Sequence, residues 1–423
     1  MLNEFSRAAR GHHRTALKPG SSEDQRPGRQ VPLLVAAMTM LLMAAGCATE
    51  SDSRSSADRS SAPGRGAGNG SDLAQQVEQR YVIGPSAARE MGYRIDWQYP
   101  SVLGHRIAEI KVEGDSVFTL DDENFLSRFD RESGNRFWRV QVAEPLREIL
   151  GITYVPRRDR VFLTSGGDLL VIDAATGNLI GRQKLQKIAN TRPIVFDQFL
   201  IYGSRGGELV WHSYHYNSYW RGYKIAQSIQ IPPVYSGGYV VVVGNDGRIM
   251  CLVAADVSQV WSQRALGEVV ASPVADDGIV FVPSLDQHLY AYDLGRARQP
   301  RLWRYLSESP LTDSPTPIGD RVYQQIPAEG LVSFEAAPLD QPGGVIVWRA
   351  EGVGGNVLTQ LGDDLITWDT DERLLVLVDR RFGSEVKSLR MPQVDKLIAT
   401  DVQRGELYAT GMDGRLIRLH PRQ

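Results

Sequence analysis

The sequence predicts an all-β fold, and three observations carry the prediction. From Tyr93 onward a tryptophan returns about every forty residues, apolar and polar residues alternate in short runs, and turns rich in Gly and Asp join those runs. Alternation of period two marks strands with one buried face, and short strands at regular spacing point to a sandwich, barrel or propeller. A period near forty is the length of one propeller blade, and eight modules can be counted. The expected architecture is an eight-bladed β-propeller of four-stranded blades over residues 93–423.

The clearest modules are FLSRFDRESGNRFWRV (Phe125 to Val140) and LLVIDAATGNLIGRQK (Leu169 to Lys184). Each has a strand, then Asp-x-x-Ser/Thr-Gly, then a second strand. Asp130 or Asp173 and Ser133 or Thr176 can bond the turn backbone, while Gly134 or Gly177 takes the positive φ of the hairpin. Looser copies begin at Gly207, Gly247, Gln287, Gly330, Glu372 and Gly414, and eight apolar strands such as DRVFLTS, GGYVVVVG and DGIVFVP precede the copies. The tryptophan column reads Trp138, Trp220, Trp261, Trp303 and Trp348, with Gly181 and Lys387 at the corresponding places of blades two and seven. The eighth module stops at Pro421 without an outer strand. YRIDWQYP (Tyr93 to Pro100) supplies one, so the N-terminal strand near Trp97 closes the ring and leaves no open edge at the seam.

The segment ahead of the ring reads as an address. Arg7, Arg10, Arg14, Lys18, Arg26 and Arg29 precede the apolar run Val31 to Gly46, which is short for a membrane span and has the form of a secretory signal. The run ends in Ala44-Ala45-Gly46-Cys47, which resembles a bacterial lipobox with Ala44 where Leu is usual. The resemblance implies that residues 1–47 are a signal and lipobox, that Cys47 is lipidated, and that two acyl chains anchor the protein. Ala48 in place of Asp implies the outer membrane, facing the periplasm. Residues 48–71 are Ser, Gly and charge, too poor in hydrophobes to fold, and read as a flexible tether. Residues 72–92 read as a short helical lead-in. With Cys47 lipidated, Cys251 has no disulfide partner, and in RIMCLVA it reads as a core thiol.

DAATGNLI (Asp173 to Ile180), with VWSQ and VWRA further on, resembles the repeat of the pyrroloquinoline-quinone-like (PQQ-like) β-propellers. In that family the outer-strand tryptophan docks on the neighbouring blade, which gives Trp97, Trp138, Trp220, Trp261, Trp303 and Trp348 a structural role. Two kinds of protein share the repeat. Quinoprotein dehydrogenases hold quinone and calcium on the ring axis, and alcohol-oxidising members have adjacent cysteines beside the cofactor. This chain has no adjacent cysteines and is shorter. The propeller lipoproteins of the outer-membrane β-barrel assembly machinery resemble it in lipobox, tether, blade number and length.

The sequence contains no phosphate loop, HExxH helix, CxxC pair or GxSxG elbow. EGVGGN at Glu351 lacks the strand-to-helix setting of a dinucleotide loop and reads as an inter-blade turn. A formal charge of -3 gives no footprint for nucleic acid. The richest polar and aromatic stretch is Trp211 to Tyr223, in which Trp211, Tyr214, Tyr216, Tyr219 and Arg221 form the candidate interaction surface. The plainer reading is that alternate members pack between sheets. His212 and His215 fall on opposite faces of a strand and do not suit a metal. The pairs Asp121-Asp122, Asp276-Asp277 and Asp363-Asp364 read as turn-formers. The expectation is a non-enzymatic envelope scaffold without cofactor or metal, whose protein partners include barrel-assembly components. A quinone- and calcium-dependent dehydrogenase is the enzyme alternative. A polysaccharide binder, with Tyr214, Tyr216 and Tyr219 as an aromatic row, is the third.

Overall fold

The computed structural model describes residues 76–100 and 104–422, in which strands alternate with tight turns and the one full helix is Pro85–Glu90. The strands form eight four-stranded antiparallel sheets. Seven run through consecutive strands, as in blade 1 (Ile107–Glu113, Ser116–Asp121, Phe125–Asp130, Arg136–Gln141). The eighth joins Val394–Ala399, Leu407–Gly411 and Leu416–Pro421 to the N-terminal strand Tyr93–Tyr99, with Trp97 opposite Arg418. The ring is therefore an eight-bladed propeller closed by its two ends, as its repeats predict.

First strands of successive blades touch one another and form the inner ring. Second and third strands are buried on both sides, and their side chains meet those of the next blade. Phe118, Leu120 and Leu126 of blade 1, for example, pack on Val161, Leu163, Leu170 and Ile172 of blade 2. Each first-to-second and third-to-outer turn lies on one face of the ring, the hairpin face. Each second-to-third turn and each connection to the next blade lies on the other, the crossover face. Cys251 is wholly buried, and burial pushes its thiol up to about 12.

Blade meets blade at a recurrent joint. The indole N–H of Trp138 donates to the Ala174 carbonyl of blade 2 at 2.8 Å. Trp97, Trp303 and Trp348 reach the corresponding carbonyls of Arg131, Ala336 and Arg380, each at 2.9 Å. Trp261 donates to Asp293 O at 2.9 Å, one residue earlier. The receiving turn is held as its sequence suggests: Asp173 accepts from the backbone and hydroxyl of Thr176 at 3.0 and 2.9 Å. Gly177 then sits at φ +76° directly beneath Trp138, where a Cβ would come within 2.7 Å of the ring. Gly134 and Gly383 lie equally close beneath Trp97 and Trp348. Where the preceding blade offers no tryptophan in the column, the same turn position holds Asn217 or Val257, both at positive φ.

The column needs one correction. Every outer strand carries a β-bulge one residue before the docking position, filled by Phe137, Ile180, Trp220, Val260, Leu302, Val347 and Val386 in blades 1 to 7. Trp220 is thus the bulge residue of blade 3. The docking position there is Arg221, opposite Trp211. A one-residue shift turns a side chain to the other face of a strand. Trp220 stacks on Phe199 of its own blade at 4.7 Å and stays 39% exposed. It is Trp211, on the third strand, that donates to the Ala254 carbonyl of blade 4 at 3.0 Å.

The two gaps in the column are filled differently. Below Gly181, the Gln183 amide donates to the Tyr214 carbonyl at 3.1 Å, and its oxygen lies 3.0 Å from Nε2 of buried His212. That oxygen only accepts, so Nε2 carries the proton and Nδ1 is bare. Beside Lys387, the lead-in takes over: Val82, Ile83, Ala88 and Met91 pack with Trp368 and Leu377, and Lys387 pairs with Glu90 at 2.7 Å.

Two outcomes are expected. Gly177→Ala forces a β-carbon into Trp138 as well as a left-handed backbone, and should lower stability by about 2–4 kcal/mol. Gly166→Ala, at φ +53° with open space around it, should lose only the backbone part, about 1–2 kcal/mol. Guanidinium denaturation of both variants separates the contact from the conformation. The second outcome concerns acid. Burial pushes the His212 imidazole down to about 4, so the unfolded chain binds a proton that the folded chain refuses. The resulting stability is complete above the ordinary imidazole value of about 6.5 and is lost as pH falls toward 4. Thermal melts from pH 7 to 4 should fall more steeply for the parent than for His212→Asn.

Candidate interaction face

Most side chains on the flanks of the blades are consumed by the joints, which leaves the turns as the free surface. On the crossover face, connections between blades end in apolar residues that nothing covers. Leu146 is fully exposed between blades 1 and 2, Leu266 is 85% exposed between blades 4 and 5, and Ile188, Val270 and Leu306, on or at the start of such connections, are about half exposed. An array of large apolar side chains on one face is unusual for a surface that meets only water.

The charge on that face is uneven. From blade 4 to the start of blade 7 its turns and connections (244–247, 265–273, 284–287, 307–315, 327–329 and 351–355) carry seven carboxylates and no Lys or Arg. Asp286 and Glu329 are used internally. Asp286 accepts the Leu266 N–H and the Tyr290 hydroxyl, each at 2.7 Å, which fixes the connection that presents Leu266. Glu329 is buried, yet the Glu308 N–H, Arg349 at 3.0 Å and the Tyr305 hydroxyl outweigh its burial and hold its carboxyl below the usual range. Glu268, Glu308 and Glu351 are exposed. Glu308, Glu329 and Glu351 border a cavity of about 610 Å³ next to Leu306.

A second cavity of about 610 Å³ runs along the inner strands of blades 1 to 3, between Lys111, Tyr154, Arg157, Arg192 and Val195. Glu109 pairs there with Arg192 at 3.3 Å and accepts the Ile152 N–H at 3.1 Å. Burial pushes its carboxyl up in spite of both. Asp313 and Asn356, also near the axis, bond each other at 3.1 Å. Among the described residues no group of three or more His, Cys, Asp or Glu is placed to hold a metal ion.

The residues singled out in Trp211–Tyr223 do not form one surface. Trp211 is completely buried in its joint, so it is corrected from interaction residue to blade contact. Tyr214 packs on Phe162 at 5.1 Å and donates to the Asp197 carbonyl, and Tyr219 donates to Glu208 at 2.7 Å. Both are turned into the ring, which breaks up the aromatic row. Arg221 donates to the Asp256 carbonyl of blade 4 at 2.6 Å. Tyr216, 69% exposed on a hairpin-face turn, alone stands clear of the ring. Asp121 caps Phe125 N–H and pairs with Arg139, both within the turn reading of the acidic pairs. Residue Cys47, the lipobox and the tether lie outside the described residues. Composition missed the crossover face because its leucines are scattered singly; the available signal was an apolar residue inside Gly- and Ser-containing connections, as in RALGEVVASP.

The family model described as outer membrane protein assembly factor BamB matches residues 122–202 and 200–338, together just over half of the chain. An uncharacterised protein of Rickettsia prowazekii is 24% identical over 173 residues, 39% of this chain and 42% of its own length. Another, of Rickettsia conorii, is 22% identical over 205 residues, 46% of this chain and 50% of its own. The chain thus spans half or less of these curated relatives. Among solved structures, BamB from Moraxella catarrhalis superposes with a TM-score of 0.60 at 16% identity, covering 78% of this chain and 99% of that one. The computationally designed Ika8 protein gives 0.60 at 13%, covering 76% and 98%. These two likenesses are of fold. The matched span, which runs through the clearest repeats, is what assigns membership: the chain belongs to the outer membrane protein assembly factor BamB family of PQQ-like propellers.

Proposed function

We propose that this chain is a non-catalytic scaffold of the bacterial envelope that holds a protein partner on its crossover face, in outer-membrane protein assembly. The observation that carries the reading is the array of uncovered leucines on that face, with Leu266 and Leu306 set among carboxylates that no Lys or Arg of the same loops balances. Apolar anchors surrounded by one sign of charge suit a partner segment that offers apolar side chains together with Lys or Arg. Family membership supports the kind of role, since a ring of fixed blades presents loops without moving. Cys47 would carry the lipid that keeps the ring at the outer membrane, on its periplasmic side, with residues 48–71 as tether.

Site-specific photocrosslinking in living cells, followed by purification and mass spectrometry, tests the reading. A probe at Leu266 is expected to capture barrel-assembly components, and Leu266→Asp should weaken that association by roughly 10- to 100-fold. A probe at Tyr216 should capture none. Capture at Tyr216 alone would move the interface to the hairpin face, and barrel-assembly components at neither position would reject the assembly role. Cys47→Ala should shift the protein from the membrane to the soluble fraction.

A further inference from the structure

Blade 8 is the one blade built from both ends of the chain, and its joint with blade 1 adds a buried cluster of charges to the Trp97 indole contact. At the joint with blade 1, Arg418 stands opposite Trp97 and is only 2% exposed. Its Nε and Nη2 donate to Glu406 at 3.1 and 2.7 Å, and its Nη1 donates to the Arg131 carbonyl at 2.7 Å and to Glu132 at 3.2 Å. Asp96, 3.6 Å from the same Nη1, fills the bulge position that is apolar in blades 1 to 7. Around this knot stand Arg131 on Glu406 at 3.1 Å, the Tyr408 hydroxyl on Glu406 at 3.1 Å, and Arg94 on Asp96 at 3.2 Å. His420 lies 3.6 Å from Glu406 and 3.9 Å from Asp96, and Asp130 feels the Arg418 charge. At the joint with blade 7 the lead-in replaces the tryptophan, as described above. Residues 82–99 therefore furnish both contacts that fix the outer part of blade 8.

A buried ion pair is a conditional bond. Its Coulomb gain roughly offsets the cost of taking both charges from water, but neutralising one partner leaves the other buried and alone. The joint of blades 4 and 5 is closed by the Trp261 indole and apolar packing, and its buried carboxylate, Asp286, is held by the Leu266 N–H and the Tyr290 hydroxyl, with no Arg–carboxylate pair there among the described residues. We propose that residues 82–99 are a clasp released by acid: when the carboxylates around Arg418 are protonated, the outer strand of blade 8 and the lead-in detach while blades 1 to 7 stay closed. The direction follows from Glu406. Burial alone would raise its carboxyl, but Arg418 and Arg131 outweigh burial and hold it below its ordinary value. Its contribution is therefore complete above about pH 4.5 and disappears as pH falls through its own lower value.

Amide hydrogen exchange read by mass spectrometry, corrected for the intrinsic rate at each pH, tests the clasp on the folded chain. Between pH 7 and pH 3.5, peptides covering 82–99 and 416–421 should lose protection about tenfold or more relative to 259–264, the outer strand of blade 4. Arg418→Met, which replaces the charge by an apolar chain of similar reach, should abolish that difference. Should Arg418→Met fail to fold, Glu406→Gln should show at pH 7 the loosening that the parent shows only in acid. Loss of protection in all blades together, earlier loss in 259–264, or an unchanged pH response in both variants would overturn the proposal.

Discussion

The ring depends on one hydrogen bond repeated around it. The carbonyl that follows each third strand points at the preceding blade and must be met there, because a buried carbonyl without a donor costs about as much as a lost hydrogen bond. Arg131, Ala174, Ala254, Ala336 and Arg380 receive an indole N–H, and Tyr214 receives the Gln183 amide. At these six joints the acceptor keeps its place while the donor changes, whereas between blades 4 and 5 Trp261 uses Asp293, one residue earlier. In blade 3 the donor even moves from the outer strand to the third, where Trp211 answers for Arg221. An indole does more than donate, since its ring also covers the next hairpin. That second contact is what demands Gly134, Gly177 and Gly383; Asn217 and Val257 stand where no column tryptophan precedes them, and Gln299 where Trp261 docks one residue earlier.

This coupling explains which parts of the fold were legible in the sequence. Strand alternation, the Asp-x-x-Ser/Thr-Gly turns and the unmatched ends at Trp97 and Pro421 each state a local rule, and the ring satisfies all of them at once. Trp220 misled because a bulge adds one residue to every outer strand, so spacing between tryptophans drifts by one without any visible insertion. A better ruler is the turn: the docking position is always four residues beyond the positive-φ residue, from Gly134 to Trp138 and from Asn217 to Arg221. The candidate surface failed for a related reason. Aromatic side chains in a propeller are the material of its joints, so the stretch richest in them, from Trp211 to Tyr219, is where the ring is most occupied with itself.

The same constraint separates the two faces. Hairpin-face turns receive the indoles, and each keeps a positive-φ residue four places before the docking position. Crossover connections receive nothing from the neighbouring blade of that kind, so they can carry Leu146, Leu266 and Leu306 outward without disturbing a joint. Such leucines would favour self-association if they stood alone. Glu268, Glu308 and Glu351, exposed on the run of crossover connections that carries Leu266 and Leu306, would set carboxylate against carboxylate if that face met a second copy of itself. On the proposed reading, the charge that disfavours a second copy leaves the apolar contact open to a surface of opposite sign. A rigid ring presents such leucines without a moving part: Leu266 is held in place by the Asp286 carboxylate, which accepts its N–H at 2.7 Å, far along the chain from the charged seam of blade 8.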